Sequence, residues 1–262
     1  VIWQNEGVFK FEVKGVQLEG QCIGPAPKEA KTIILLHEGL GSIALWRDFP
    51  ARLSEETGCG VFVYSRQGYG ASSPATLPRP LDYMELEAQT VLPDVLACIG
   101  FEEGFLLGHS DGASIAALYA GNIVDERILG IILMAPHFFV ETKSIEAINA
   151  ARTAYELENL KSRLSSYHSD VDNAFWGWND AWLNPEFLKW NIEDILSGIS
   201  TPVLAIQGEA DEYGTLRQLD ALTLRLSAPL HLEIVKDCGH SPHIQCADAV
   251  MGLIVAFLLK YE

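Results

Sequence analysis

Positive charge is what this chain has least of. Its 262 residues carry 18 Lys and Arg against 35 Asp and Glu, a net charge of −17. A surface that acidic repels phosphate backbones and anionic lipid, so neither nucleic acid nor a membrane is expected as a partner. It also counts against polyanionic substrates unless a local basic patch overcomes the field. Cysteine is scarce as well: Cys22, Cys59, Cys98, Cys238 and Cys246 form an odd set without metal-ligand spacing, which suits a reducing cytosol. Cys238, two residues before His240, reads as a small buried apolar residue. No long apolar run exists. Residues 251–259 are the longest, about half a membrane span, and read as a buried terminal helix. No basic-plus-apolar stretch stands near the start, so no signal peptide is expected, and the expected location is cytoplasmic. Repeats and low-complexity tracts are missing too.

What is there alternates. Residues 8–23 swap apolar and polar positions around Lys14-Gly15 and predict an antiparallel hairpin. Residues 32–37 are continuously apolar, as a strand buried on both faces must be. A helix is predicted over 44–57, a strand over 60–66, a helix over 82–99 with a kink at Pro93, and a strand over 128–134. Strands alternating with helices predict an α/β fold whose mostly parallel sheet is covered on both faces. After Pro136 the rhythm breaks. Residues 137–200 show helical spacing only, at Ile145, Ile148, Tyr155, Leu157, Leu160 and Leu164, with a helix start at Asn184-Pro185. The division that follows is a core of 1–136 and 201–262 with a helical cap of 137–200.

The chemistry is concentrated at Gly108-His109-Ser110-Asp111-Gly112. An apolar strand end precedes it and a slim, alanine-rich helix follows, the context in which G-x-S-x-G raises a serine hydroxyl above a sheet edge. A serine hydroxyl is a poor nucleophile until a base takes its proton, and that base needs a third group to orient it. Both partners follow in the chain. Residues 201–208 form an apolar run that leads to Asp211. Residues 231–236 alternate as a strand and lead to His240. All three emerge after strands on one edge of a parallel sheet, in the order Ser, Asp, His.

These stretches, together with Leu36-His37-Glu38-Gly39-Leu40-Gly41-Ser42, Ser65-Arg66-Gln67-Gly68-Tyr69-Gly70-Ala71-Ser72 and Gly239-His240-Ser241-Pro242, resemble the α/β-hydrolase superfamily over nearly the whole chain. Within it the chain is similar to small capped serine esterases and carbon–carbon bond hydrolases. The resemblance implies a sheet of roughly eight strands, Ser110 as nucleophile, His240 as general base and acid, and Asp211 as orienting carboxylate. Oxyanion donors should be the amide of Asp111 and one from the loop after the third strand. Glu38 replaces the glycine usual there, which makes Gly39 the first choice and Leu40 the second. The Glu38 side chain is expected to brace that loop through Ser42, Arg66 or His37.

Four of the six tryptophans, Trp176, Trp178, Trp182 and Trp190, fall in 137–200. Leu40, His109, Trp176, Trp178 and Trp182 are the candidates for contact with substrate, most of the tryptophans being expected to glue the cap down. His243 follows His240 by three residues, but Pro242 breaks the helical spacing of a metal pair. His37-Glu38 lacks the second histidine of H-E-x-x-H. No metal and no other cofactor is expected. The leading expectation is an acyl-enzyme hydrolase of a small carboxylic ester or lactone, with a homodimer left open. The rivals are a carbon–carbon bond hydrolase of ring-cleavage products, a cofactor-free lyase or perhydrolase, and a non-catalytic ligand receptor on the same fold.

Overall fold

The structure, a computed structural model, describes Trp3 and residues 7–261. Eight strands form one sheet: β1 (Val8–Val13), β2 (Val16–Ile23), β3 (Thr32–Leu36), β4 (Gly60–Ser65), β5 (Gly104–His109), β6 (Ile128–Met134), β7 (Val203–Gly208) and β8 (Leu230–Val235). Their spatial order is β1-β2-β4-β3-β5-β6-β7-β8. The first two pairings are antiparallel and the rest parallel. Lys14 and Gly15 both take positive φ in the β1–β2 turn, the backbone that matches strand twist in a two-residue hairpin.

The period-2 geometry of the central strands sorts their apolar residues onto two faces. Ile34, Leu36, Phe62, Leu106 and Leu133 meet α3 (Leu92–Ile99), α4 (Asp111–Asn122) and α8 (Arg217–Arg225). Ile33, Leu35, Val61, Phe105 and Leu107 meet α1 (Phe49–Thr57) and α10 (Ala247–Tyr261), the helix predicted from the terminal apolar run. No described helix is long and apolar enough to cross a membrane.

Two predicted helices are broken. The stretch 44–57 is a 3-10 turn (Ile43–Trp46) and then α1, separated by Arg47 at φ 55°. Pro50 has no N–H to give the carbonyl of Trp46, which opens the ladder at this point. The stretch 82–99 is α2 (Tyr83–Leu86), a π turn (Glu87–Val91) and α3. The wider turn falls just ahead of Pro93, whose missing N–H leaves a gap in the ladder.

Between β6 and β7 lie α5 (Thr142–Leu157), α6 (Leu160–Leu164) and α7 (Val171–Trp182), followed by 3-10 turns at Phe187–Lys189 and Glu193–Gly198. The helix predicted from Asn184-Pro185 is only the first of those turns, with the Asn184 carboxamide accepting from the Glu186 amide. Strand geometry is confined there to one bridge between Phe139 and Asn191. The last turn, Glu193–Gly198, returns to α4, where Gly121 packs against Ile195 and Gly198. Before it, Ser144 of α5 donates to the Tyr213 carbonyl beyond β7, and Trp178 of α7 packs on Gly39 beyond β3, at the edge where α/β sheets present their ligand sites.

Candidate active site

Ser110 stands between β5 and α4, as the N-cap of the helix, with φ 53° and ψ −118°, a strained backbone for a residue with a Cβ. Its neighbours explain the glycines. A Cβ on Gly108 would lie 2.2 Å from the Gly112 carbonyl, and one on Gly112 would lie 2.0 Å from that of Leu36. Strand and helix approach too closely for any side chain at either place. The serine is held there by its amide, which donates to the Met134 carbonyl at 2.9 Å. Asp111 is the first residue of α4, so its amide has no acceptor within the helix.

Asp211 follows β7 and His240 follows β8. His240 Nδ1 lies 2.9 and 3.0 Å from the two Asp211 oxygens, and Nε2 lies 3.0 Å from Ser110 Oγ. A carboxylate only accepts, so the ring proton sits on Nδ1 and the Nε2 lone pair faces the serine hydroxyl. Asp211 also accepts from the amides of Tyr213 (2.8 Å) and Gly214 (3.1 Å) and from the Gln207 carboxamide at 2.7 Å. Burial works against the ionised Asp211, but the hydrogen bond and charge of His240 and the two amides outweigh it and hold the carboxyl below its usual range. The His240 amide donates to Glu212 and the Gly239 amide to Gln245. Gln207, Glu212 and Gln245 are supporting residues that the sequence alone did not single out. Only Gln207 had a signal, as a polar residue interrupting an apolar strand.

The loop after β3 is fixed from three sides. The His37 ring donates to the Glu38 carbonyl at 2.7 Å and accepts from the Arg66 amide at 3.0 Å. Burial, reinforced by the Arg66 charge, pushes its pKa well down and keeps it neutral. The buried Arg66 guanidinium donates to the carbonyls of His37 and Glu38. His168, between α6 and α7, accepts from the Gly70 amide at 2.9 Å and therefore donates through Nε2 to the Leu40 carbonyl at 3.0 Å.

The Glu38 carboxylate does not reach Ser42, Arg66 or His37 as expected. It folds over Gly41 and faces His109 Nδ1 at 3.4 Å, because the Arg66 guanidinium is already committed to main-chain carbonyls. His109 Nε2 is 2.7 Å from the His240 carbonyl. A carbonyl only accepts, so Nε2 carries the proton toward His240, and Nδ1 is the ring atom that faces the Glu38 carboxylate. Burial raises the Glu38 carboxyl, but the His109 hydrogen bond and charge, with the fields of His37 and His243, bring it below the usual carboxylate range.

Above Ser110 lies a cavity of about 250 Å³. Its lining includes Glu38, Gly39, Leu40, His109, Trp178 and Tyr213. Of the tryptophans proposed from sequence to touch substrate, only Trp178 lines it. Trp176 stands edge-on to Tyr155 and Phe175 with Arg152 over its face. Trp182 is buried and donates to the Tyr83 hydroxyl, which itself donates to Asp111. Both rings are thus used in packing, Trp176 within the insertion and Trp182 against the sheet domain at Tyr83. Burial pushes His137 and His243, which flank His109 and His240, down to about 3. No group of His, Cys, Asp and Glu among the described residues could hold a metal ion. A larger groove, about 450 Å³ between Phe139, Trp190 and Arg217, is lined by no serine, cysteine or histidine.

The family model described as the alpha/beta hydrolase family matches residues 33–253, and the chain belongs to that family. A curated relative, a putative non-heme chloroperoxidase from Synechocystis sp., is 26% identical over 88% of this chain and 97% of its own length. Among solved structures, proline iminopeptidase from Mycobacterium smegmatis superposes with a TM-score of 0.77 at 18% identity, covering 97% of this chain and 98% of that one. The enol-lactonase from Burkholderia xenovorans gives 0.74 at 18%, covering 96% and 100%. A thermophilic esterase from Thermogutta terrifontis gives 0.74 at 17%, covering 97% and 99%. These likenesses show the fold: an eight-stranded, mostly parallel sheet with helices on both faces.

Proposed function

We propose that this alpha/beta hydrolase is a serine hydrolase that cleaves a small carboxylic ester or lactone through an acyl-enzyme. The observation that carries the reading is the chain of contacts Ser110 Oγ–His240–Asp211, each link near 3 Å. His240 Nε2 takes the hydroxyl proton as Oγ bonds to the carbonyl carbon, while Asp211 stabilises the imidazolium. Collapse of the tetrahedral intermediate breaks the bond to the leaving oxygen, which receives that proton. Water then gives a proton to His240, attacks the acyl carbon and releases the acid, and Ser110 regains its proton. The amides of Asp111 and Gly39 are the oxyanion donors in this mechanism. The cavity of about 250 Å³ suits a small acyl group, and residues 137–200 act as the cap that encloses it.

Turnover of a panel of short-chain p-nitrophenyl esters and lactones by the wild type and by Ser110→Ala tests the reading. Loss of turnover in the variant is expected, and full activity there would end it. A second reading has one specific support, the chloroperoxidase name of the Synechocystis relative. The same acyl-enzyme can be taken by hydrogen peroxide in place of water, releasing a peroxy acid and free Ser110. Partition of the acyl-enzyme between the two nucleophiles distinguishes them.

A further inference from the structure

Trp178 is 6% exposed, yet its indole N–H has no acceptor among the described residues. The nitrogen is not sealed in the interior either. It is absent from the buried, unpartnered polar atoms, and the ring lines the cavity above Ser110. An indole nitrogen can only donate, so a nearly buried one that faces a cavity without a partner is set to receive an acceptor from whatever enters. Its place is specific. A Cβ on Gly39 would lie 2.2 Å from Trp178 Nε1 and 2.3 Å from its neighbouring ring carbon Cδ1. The indole N–H therefore rests against the backbone of the residue whose own amide is proposed as an oxyanion donor, and only glycine leaves room for it.

We infer that the Trp178 indole N–H is a third donor to the oxyanion, supplied by α7 of the insertion to complete a hole otherwise made of main-chain amides. This rests on the acyl-enzyme reading above. It gives the insertion a catalytic part beyond enclosure. Donors are effective when they are fixed before charge develops on the carbonyl oxygen. Trp178 is fixed by its edge contact with Phe175 and by the wall at Gly39.

The test replaces Trp178 with 3-benzothienylalanine, which keeps the shape of the ring system and puts sulfur where the N–H was. Turnover of p-nitrophenyl acetate should fall on the order of 10²-fold with KM little changed. The affinity of a small alkylboronic acid, which forms a tetrahedral adduct on Ser110, should fall by a similar factor. A variant that turns over like the wild type, or one in which only KM moves, overturns the inference and leaves Trp178 as an apolar wall. Should the replaced protein not fold, the wild type gives a second readout. On phosphonylation of Ser110, the Trp178 indole proton should move clearly downfield in a ¹H–¹⁵N spectrum, and an unmoved resonance overturns the inference. A wild type that neither cleaves esters nor takes the phosphonate removes the acyl-enzyme reading and this inference together. Labelling without any Trp178 effect removes only the donor.

Discussion

A hydroxyl surrenders its proton to an imidazole only while the imidazole presents a lone pair, and in the proposed mechanism three residues divide that task. Ser110→Ala, His240→Ala and Asp211→Asn should each lower turnover of an activated ester on the order of 10⁴-fold or more. A double variant should lose little beyond the worse single one, because the residues act as a unit. Steady-state rates of singles and doubles check this. The Glu38–His109 pair makes a different prediction. Its carboxylate supplies an acceptor to a ring that is tied to the His240 carbonyl. In Glu38→Gln the carboxamide can donate to a neutral His109, so the chain of hydrogen bonds persists and most activity should survive. Glu38→Leu leaves Nδ1 facing apolar atoms and should cut turnover clearly more. Equal losses in the two would mean that the charge itself is required. Neither His109 as the partner nor the fold of Glu38 over Gly41 was legible in the sequence. Both depend on how the loop after β3 meets the elbow, a contact between residues 71 positions apart.

Elements place these residues, and their junctions are where substitutions should act hardest. Gly112→Ala drives a methyl into the Leu36 carbonyl. It should destabilise the protein by about 2–3 kcal/mol, measured as a drop in the urea midpoint at unchanged slope. His168→Leu removes the link between the Gly70 amide and the Leu40 carbonyl. Two buried backbone groups then lose partners, at about 1–3 kcal/mol each, and faster hydrogen exchange at Gly70 should report it. The strands and the elbow were legible in the sequence because continuous apolar runs and closely paired glycines are compatible with few backbone arrangements. The interruption before Pro93 was legible as a kink but not as a π turn, and the one at Arg47 was not legible, since a proline marks that a ladder breaks but not how the turn reforms. The tryptophan directions were illegible for a further reason. Ring packing against Tyr83, Tyr155 and Gly39 is tertiary, and helical spacing does not encode it.

Across the whole molecule, an acidic chain carries buried imidazoles that bear on its response to pH. His137 and His243 are held at about 3 by burial, whereas in the unfolded chain they protonate near the ordinary value of about 6.5. Between those values the unfolded state alone binds the proton, so stability is full above the upper value and declines as pH falls. The wild type should therefore lose stability between pH 6.5 and 5 more steeply than His243→Phe, by at most about 1.4 kcal/mol per pH unit. Urea unfolding of both proteins at several pH values checks the difference, in which the other titrating groups cancel. The mostly parallel sheet covered on both faces follows from the alternation visible in the chain, whereas the strand order and the cavity's walls had to be seen. The proposed chemistry as a whole stands on a covalent intermediate at Ser110. Intact-mass spectrometry after rapid acid quench of the enzyme turning over p-nitrophenyl acetate measures it directly. One acetyl group should appear on the peptide containing Ser110, and none should appear in Ser110→Ala. Hydrolysis that continues at the wild-type rate in that variant, or an acetyl group carried by another residue during turnover, would contradict it.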